Sequence, residues 1–92
     1  MANVSFTTNL RRHVGDADVR NVAGATVREV LDAVFALHPR VRAYVLDDQG
    51  ALRHHMSIFV DGEQVRDRSR LSDPVRPDAE LHVMQALSGG SL

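Results

Sequence analysis

The sequence predicts an α+β domain in which a mixed sheet of about five strands packs on one main helix. Three stretches carry that prediction: a capped apolar helix beginning at Thr26, an Asp61-Gly62 hairpin, and an alternating strand from Glu80 to Ala86. No repeat, linker or low-complexity segment separates them, so one layered core accounts for both kinds of pattern.

In chain order, Val4-Ser5-Phe6-Thr7-Thr8 alternates apolar and polar residues and reads as the first strand, with Val4 and Phe6 inward. Asn9 to Ala17 is polar, contains Gly15-Asp16, and reads as a turn. A weaker second strand follows from Asp18 to Val22 and is closed by Gly24. Thr26-Val27-Arg28-Glu29 then fits a capping box, in which the Glu29 amide donates to the Thr26 hydroxyl and the Thr26 amide donates to the Glu29 carboxylate. Val27, Val30, Leu31, Val34 and Phe35 recur at helical spacing and form one stripe to lay on a sheet. Pro39 restricts His38 and ends the run.

Val41 to Leu46 fits either a short helical turn or a strand, and Asp47-Asp48-Gln49-Gly50 is a turn. Met56-Ser57-Ile58-Phe59-Val60, Asp61-Gly62 and Glu63-Gln64-Val65 make a strand, a two-residue turn and a strand. Arg66 to Asp78 carries two prolines and reads as an irregular crossing pinned by Leu71 and Val75. In the final strand Leu81 and Val83 share the inner face, and His82 and Met84 the outer one.

Ninety-two residues with 43% apolar and 25% charged content suit one globular domain. Apolar runs are only a few residues long, and the start lacks a signal-peptide pattern, so the expected location is cytoplasmic, with no membrane partner. A net charge of −1 and scarce aromatics give no reason to expect nucleic acid. With no cysteine, any sulfur chemistry must use sulfur brought from elsewhere. All eleven basic residues are arginine, which makes the chain a poor acceptor of isopeptide bonds from copies of itself.

Leu87-Ser88-Gly89-Gly90-Ser91-Leu92 follows the last strand. Two consecutive glycines can enter a groove too narrow for any Cβ, so residues 1–86 read as the domain and 87–92 as a flexible tail presented by it. The remaining polar motifs carry less. His54 and His55 would point to opposite faces of a strand, and no third ligand sits at metal spacing. Asp16-Ala17-Asp18 and Asp47-Asp48 lack the other ligands of a calcium loop. Arg66, Arg68 and Arg70 read as a solvated loop, with a basic ridge for an acidic partner as the alternative. No serine has a catalytic elbow, so no catalytic residue and no bound metal or cofactor is expected.

The element order, the hairpin Phe59-Val60-Asp61-Gly62-Glu63, the Leu71-Ser72-Asp73 step and the ending Leu81-His82-Val83 through Leu87-Ser88-Gly89-Gly90 resemble the ubiquitin-like β-grasp proteins. More narrowly, they resemble the MoaD/ThiS family of sulfur carriers, and the likeness spans essentially the whole chain. The resemblance implies a carrier rather than an enzyme. A ubiquitin-activating-type enzyme would use ATP to adenylate the carboxylate of Gly90. A sulfurtransferase or persulfide donor would then displace AMP to leave a thiocarboxylate. A biosynthetic enzyme of cysteine, thiamine, molybdopterin or secondary-metabolite synthesis would take the sulfur.

Here Ser91-Leu92 follows the diglycine, so the Gly90-Ser91 bond must first be cut, and the resemblance implies a zinc-dependent JAMM-type metalloprotease. By the same likeness Phe59, His82 and Met84 form a partner-docking patch pointing away from the helix, with Phe59 and Met84 exposed side by side. The alternatives are a protein modifier that transfers Gly90 to target lysines, and a non-covalent interaction module.

Overall fold

A computed structural model describes residues 1–7 and 18–85. The strands are β1 (Ala2–Phe6), β2 (Val19–Val22), β3 (Met56–Val60), β4 (Glu63–Gln64) and β5 (Glu80–Gln85); the helices are α1 (Val27–Leu37) and α2 (Pro39–Val45). The sheet runs β2-β1-β5-β3-β4. β1 and β5 pair in parallel and the other neighbours antiparallel, which makes the sheet mixed and puts the last strand in its middle. This is the ubiquitin-like β-grasp architecture.

β1 begins two residues earlier than its alternation suggests, and Val4 and Phe6 are buried on its inner face. A register irregularity between Ala2 and Val4 shifts its pairing with β2, where Asn21 takes a positive φ of 59°. The expected turn from Asn9 to Ala17 lies outside the described residues. Asp18, its last neighbour, accepts from the Phe6 amide at 3.0 Å and so closes the end of β1.

The helix stripe is placed as its spacing dictates: Val27, Val30, Leu31, Val34 and Phe35 are all buried. Against them lie Ala2, Val4, Phe6, Met56, Ile58, Leu81 and Val83 from the sheet, and among the described residues no polar or charged one is buried. Each fully buried aliphatic contributes roughly 1.5–3 kcal/mol, so this one layer carries most of the stability. Capping differs from expectation in one leg. The Glu29 amide donates to Thr26 Oγ1 at 3.2 Å, but the Glu29 carboxylate accepts from the Ala25 amide at 3.1 Å, one residue before Thr26. Thr26 is held in a bridge to Pro74, which fixes the entry strand so that Ala25 faces the carboxylate.

The crossing segment supplies the rest of the cap. The amides of Val27 and Arg28, which have no partner inside the helix, donate to the carbonyls of Asp73 (3.0 Å) and Leu71 (2.9 Å). Leu71 reaches that position with a left-handed backbone, φ 57°, while its side chain is fully buried; Val75 is buried with it. Two carboxylates hold this loop. Asp67 accepts from the amides of Ser69, Arg70 and Ser72 and from the Ser72 hydroxyl, and Asp73 accepts from the amides of Arg66 and Asp67. The Ser72 hydroxyl and then the Arg70 amide hold the Asp67 carboxyl down at a pKa of about 2.

Residues 41–45 resolve as helix, with Pro39 in the first turn of α2 and Val41 and Val45 buried, while Leu46 is extended and bridges to Leu52. The hairpin turn is the two-residue one the pattern implies, and only its second strand is shorter. Asp61 (φ 52°) and Gly62 (φ 87°) both adopt the left-handed conformation that a two-residue turn demands, and β4 stops at Gln64, with Val65 buried just beyond it.

Candidate functional site

Gly89, Gly90 and Ser91, the expected activation and cleavage positions, lie outside the described residues, as does Ala86. The structure describes the platform from which they emerge. β5 is flanked by β1 and β3, so its last described residue, Gln85, sits opposite Met56 in the middle of the sheet rather than on a free edge.

The outer face of the sheet, away from α1, is assembled by register. Ser5 is level with His82, His82 with Phe59, and Phe59 with Gln64, so one row crosses β1, β5, β3 and β4. Met84 stands level with Ser57 in the next row toward the tail. Phe59, His82 and Met84 thus share the outer face, as the alternation of their strands requires. His82 is exposed and Met84 is 40% exposed, but Phe59 is only half-exposed, not open as the sequence suggests. In register Phe59 stands between His82 and Gln64, and Met84 is its diagonal neighbour rather than its direct cross-strand partner.

The residues around them were not singled out by sequence. Ser5 Oγ lies 2.7 Å from His82 Nδ1, a hydrogen bond that orients the imidazole. Gln64 Nε2 reaches Ser57 Oγ at 3.5 Å, and Asn3 Nδ2 donates to Glu80 Oε2 at 2.7 Å. Between β1 and β5 a shallow depression of about 250 Å³ is lined by Ser5, Phe6, Thr7, His82, Val83 and Met84. Thr7 Oγ1 is buried and has no hydrogen-bond partner among the described residues. The inward parity of Val4 and Phe6 already implied that Ser5 points outward. Nothing local placed it beside a residue 77 positions away.

The other motifs are structural. His54 and His55 occupy a turn, closed by the Met56 amide on the Arg53 carbonyl, rather than a strand, and among the described residues no group of three possible metal ligands occurs. Asp47 accepts from the amides of Ala51 and Gln49, and these bonds, Ala51 first, lower its pKa. Arg66, Arg68 and Arg70 do not form a ridge of equals: Arg68 turns inward and donates to the carbonyls of Arg53 (2.7 Å) and Met56 (2.8 Å). No described helix is long and apolar enough to cross a membrane.

The ThiS family model matches residues 4–90. The chain is 31% identical over 85 residues to small archaeal modifier protein 1 of Haloferax volcanii, covering 80% of this chain and 93% of that protein. The crystal structure of that modifier superposes with a TM-score of 0.80 at 27% identity, over 97% of this chain and 98% of that one. A chain of the Amycolatopsis orientalis BexX/CysO complex superposes with a TM-score of 0.82 at 31% identity, over 98% of this chain and all of that one.

Proposed function

The chain belongs to the ThiS family, whose small β-grasp members are carriers or modifiers rather than enzymes, and we propose that it is a sulfur carrier acting through Gly90. The observation that carries this reading is that the family match runs to Gly90 and leaves Ser91 and Leu92 outside it. In this sequence the Gly90 carbonyl is an amide to Ser91, and an amide offers no carboxylate oxygen to attack ATP. A metalloprotease of JAMM type removes Ser91-Leu92 by activating a metal-bound water. An adenylating enzyme then lets the freed carboxylate attack the α-phosphorus of ATP, and pyrophosphate leaves as the acyl adenylate forms. Sulfide attacks the acyl carbon, the C–O bond to AMP breaks, and Gly90 carries a thiocarboxylate; a persulfide in that role first leaves an acyl disulfide, whose S–S bond a second thiol of the donor cleaves, so that the donor becomes a disulfide and the thiocarboxylate is freed. The sulfur passes to a biosynthetic acceptor.

The chain's own residues supply no acid, base or metal in this sequence. Their work is recognition. The outer face presents His82, Met84 and the half-covered ring of Phe59 at the root of the tail, so an enzyme seated there receives Gly90 in its active site. That the similar CysO chain is found in a complex with BexX supports a docking surface on this fold. The same activated Gly90 could instead be transferred to lysines of other proteins; the 31% identity to a protein named a modifier favours keeping that second reading.

Intact mass of the protein from its own cells, under conditions that preserve thiocarboxylates, tests both. Loss of Ser-Leu with one oxygen exchanged for sulfur is the carrier's result. Gly90 found in amide linkage on lysines of other proteins, with no sulfur form, makes it a modifier. A population that keeps Ser91 while the pathway is running overturns both.

A further inference from the structure

Resting on the reading of Gly90 as an acyl group to be activated, we propose that the exclusive use of arginine is a specificity device: it keeps the chain's own surface from capturing that acyl group. Ninety-two residues contain eleven arginines and no lysine. The fold explains only some of them. Arg28 donates to the carbonyls of Gly50 and Arg70, Arg53 to that of Ala43, and Arg68 to those of Arg53 and Met56, which is work for a forked guanidinium. Arg20, Arg40, Arg42, Arg66 and Arg70 are exposed, where lysine would serve solubility and stability equally well.

The chemical difference at those positions is nucleophilicity. At pH 7 roughly one lysine in 2,500 holds a free ε-amine, whereas a guanidinium releases its proton in fewer than about one in 100,000 and delocalises its lone pairs. A free amine attacks the activated acyl carbon, a C–N bond forms, the bond to AMP or thiol breaks, and the amine loses its proton. The amide that results cannot be returned to sulfur. Sequence separation does not protect against this. Five residues lead from Gln85 to Gly90 and span at most about 17 Å, and the tail's own attachment makes the local acyl concentration high. With arginine alone, the α-amine is the one primary amine this sequence offers, and it precedes Asn3, which pairs with Glu80 at the start of β5, at the far end of the strand from Gln85. The side chains thus leave the acyl group to sulfide, or to an amine of another protein, in a partner's site.

The test needs no activating enzyme. Every described core residue precedes Ala86, so the chain ending at Gly90 is prepared chemically as its mercaptoethanesulfonate thioester, with the α-amine acetylated in the parent and in both variants so that only side-chain amines compete. It is compared with His55→Lys and Arg40→Lys, both at exposed positions. His55 precedes Met56, the strand partner of Gln85, and so lies within the tail's reach. Circular dichroism verifies that both variants fold. The expected result is hydrolysis alone in the parent chain, an intramolecular amide in His55→Lys at a rate independent of concentration, and a concentration-dependent dimer in Arg40→Lys. Each variant should give at least tenfold more amide than the parent. Parent chain that forms amide within twofold of the variants, or folded variants that form none, overturns the proposal. Because the thioester is made chemically, the result stands whether or not cells load Gly90 with sulfur, and self-capture by the parent chain would leave the carrier reading intact.

Discussion

Leu71 is where the fold accepts backbone strain to cap its main helix, and replacing it by alanine and by glycine measures that strain. Its φ of 57° brings its carbonyl to the Arg28 amide while the side chain fills the core. Leu71→Ala removes a fully buried side chain and should cost about 3 kcal/mol, within the usual 2–5 kcal/mol for such truncations. Leu71→Gly removes a further buried carbon, about 0.8 kcal/mol, and adds about 0.5–1 kcal/mol of chain entropy. It also relieves the left-handed penalty of a Cβ, about 1–2 kcal/mol. The three contributions nearly cancel, so the two variants should be equally stable within about 0.5 kcal/mol.

Ala79 provides the control, since it is fully buried and is not among the residues of positive φ. Ala79→Gly has no strain to relieve and should lose about 1.5 kcal/mol by the same arithmetic. Urea unfolding followed by circular dichroism reads both comparisons. With a slope of about 1 kcal/mol per molar, Ala79→Gly moves the midpoint down by about 1.5 M, and Leu71→Gly should match Leu71→Ala. If Leu71→Gly falls below Leu71→Ala by as much as Ala79→Gly falls below the parent, the left-handed cap is not what Leu71 provides.

Gly24 has φ 155°, and a Cβ there would stand 2.8 Å from both Val30 Cγ2 and the Val30 amide nitrogen, so Gly24→Ala should destabilise by about 1–3 kcal/mol in thermal unfolding. The Asp67 carboxyl, at about 2 in the fold against its ordinary 3.8, stabilises fully above its unfolded value and loses that contribution as pH falls through about 2. Asp67→Asn should therefore flatten the fall in stability between roughly pH 4 and 2, seen in acid titrations of the unfolding midpoint. An unchanged acid limb would show that the Ser72 and backbone bonds do not hold the carboxylate. Met84→Asp, at a 40%-exposed position, should leave stability within about 0.5 kcal/mol yet weaken capture by the adenylating enzyme at least tenfold in isothermal calorimetry. Unchanged affinity would move the docking surface elsewhere.

Features that depend on close neighbours were legible in the chain. The α1 stripe, the Asp61-Gly62 turn and the parity of β5 all follow from spacing of a few residues, and all three stand as read. The return leg of the capping box was misplaced because Thr26 is pinned by Pro74, far along the chain, and Glu29 takes the nearer free amide of Ala25. Residues 41–46 were undecidable because Val41 and Val45 fit either pattern, and only packing on the core chose helix for 41–45 and an extended Leu46. His54 and His55 were weighed as strand residues, and the Arg53 carbonyl closes them into a turn.

By itself the sequence determined a capped amphipathic helix, a tight hairpin, an alternating last strand and a diglycine with no lysine in the chain that bears it. Tertiary structure alone decided that β5 lies between β1 and β3, that Ser5 orients His82, that Phe59 is half-covered, and that Leu71 adopts a left-handed backbone. The division has a physical cause. Helix caps, turns and side-chain parity are set by interactions within a few residues, whereas strand neighbours are chosen when the whole apolar surface of α1 is closed against the sheet, and that closure is a property of no single segment.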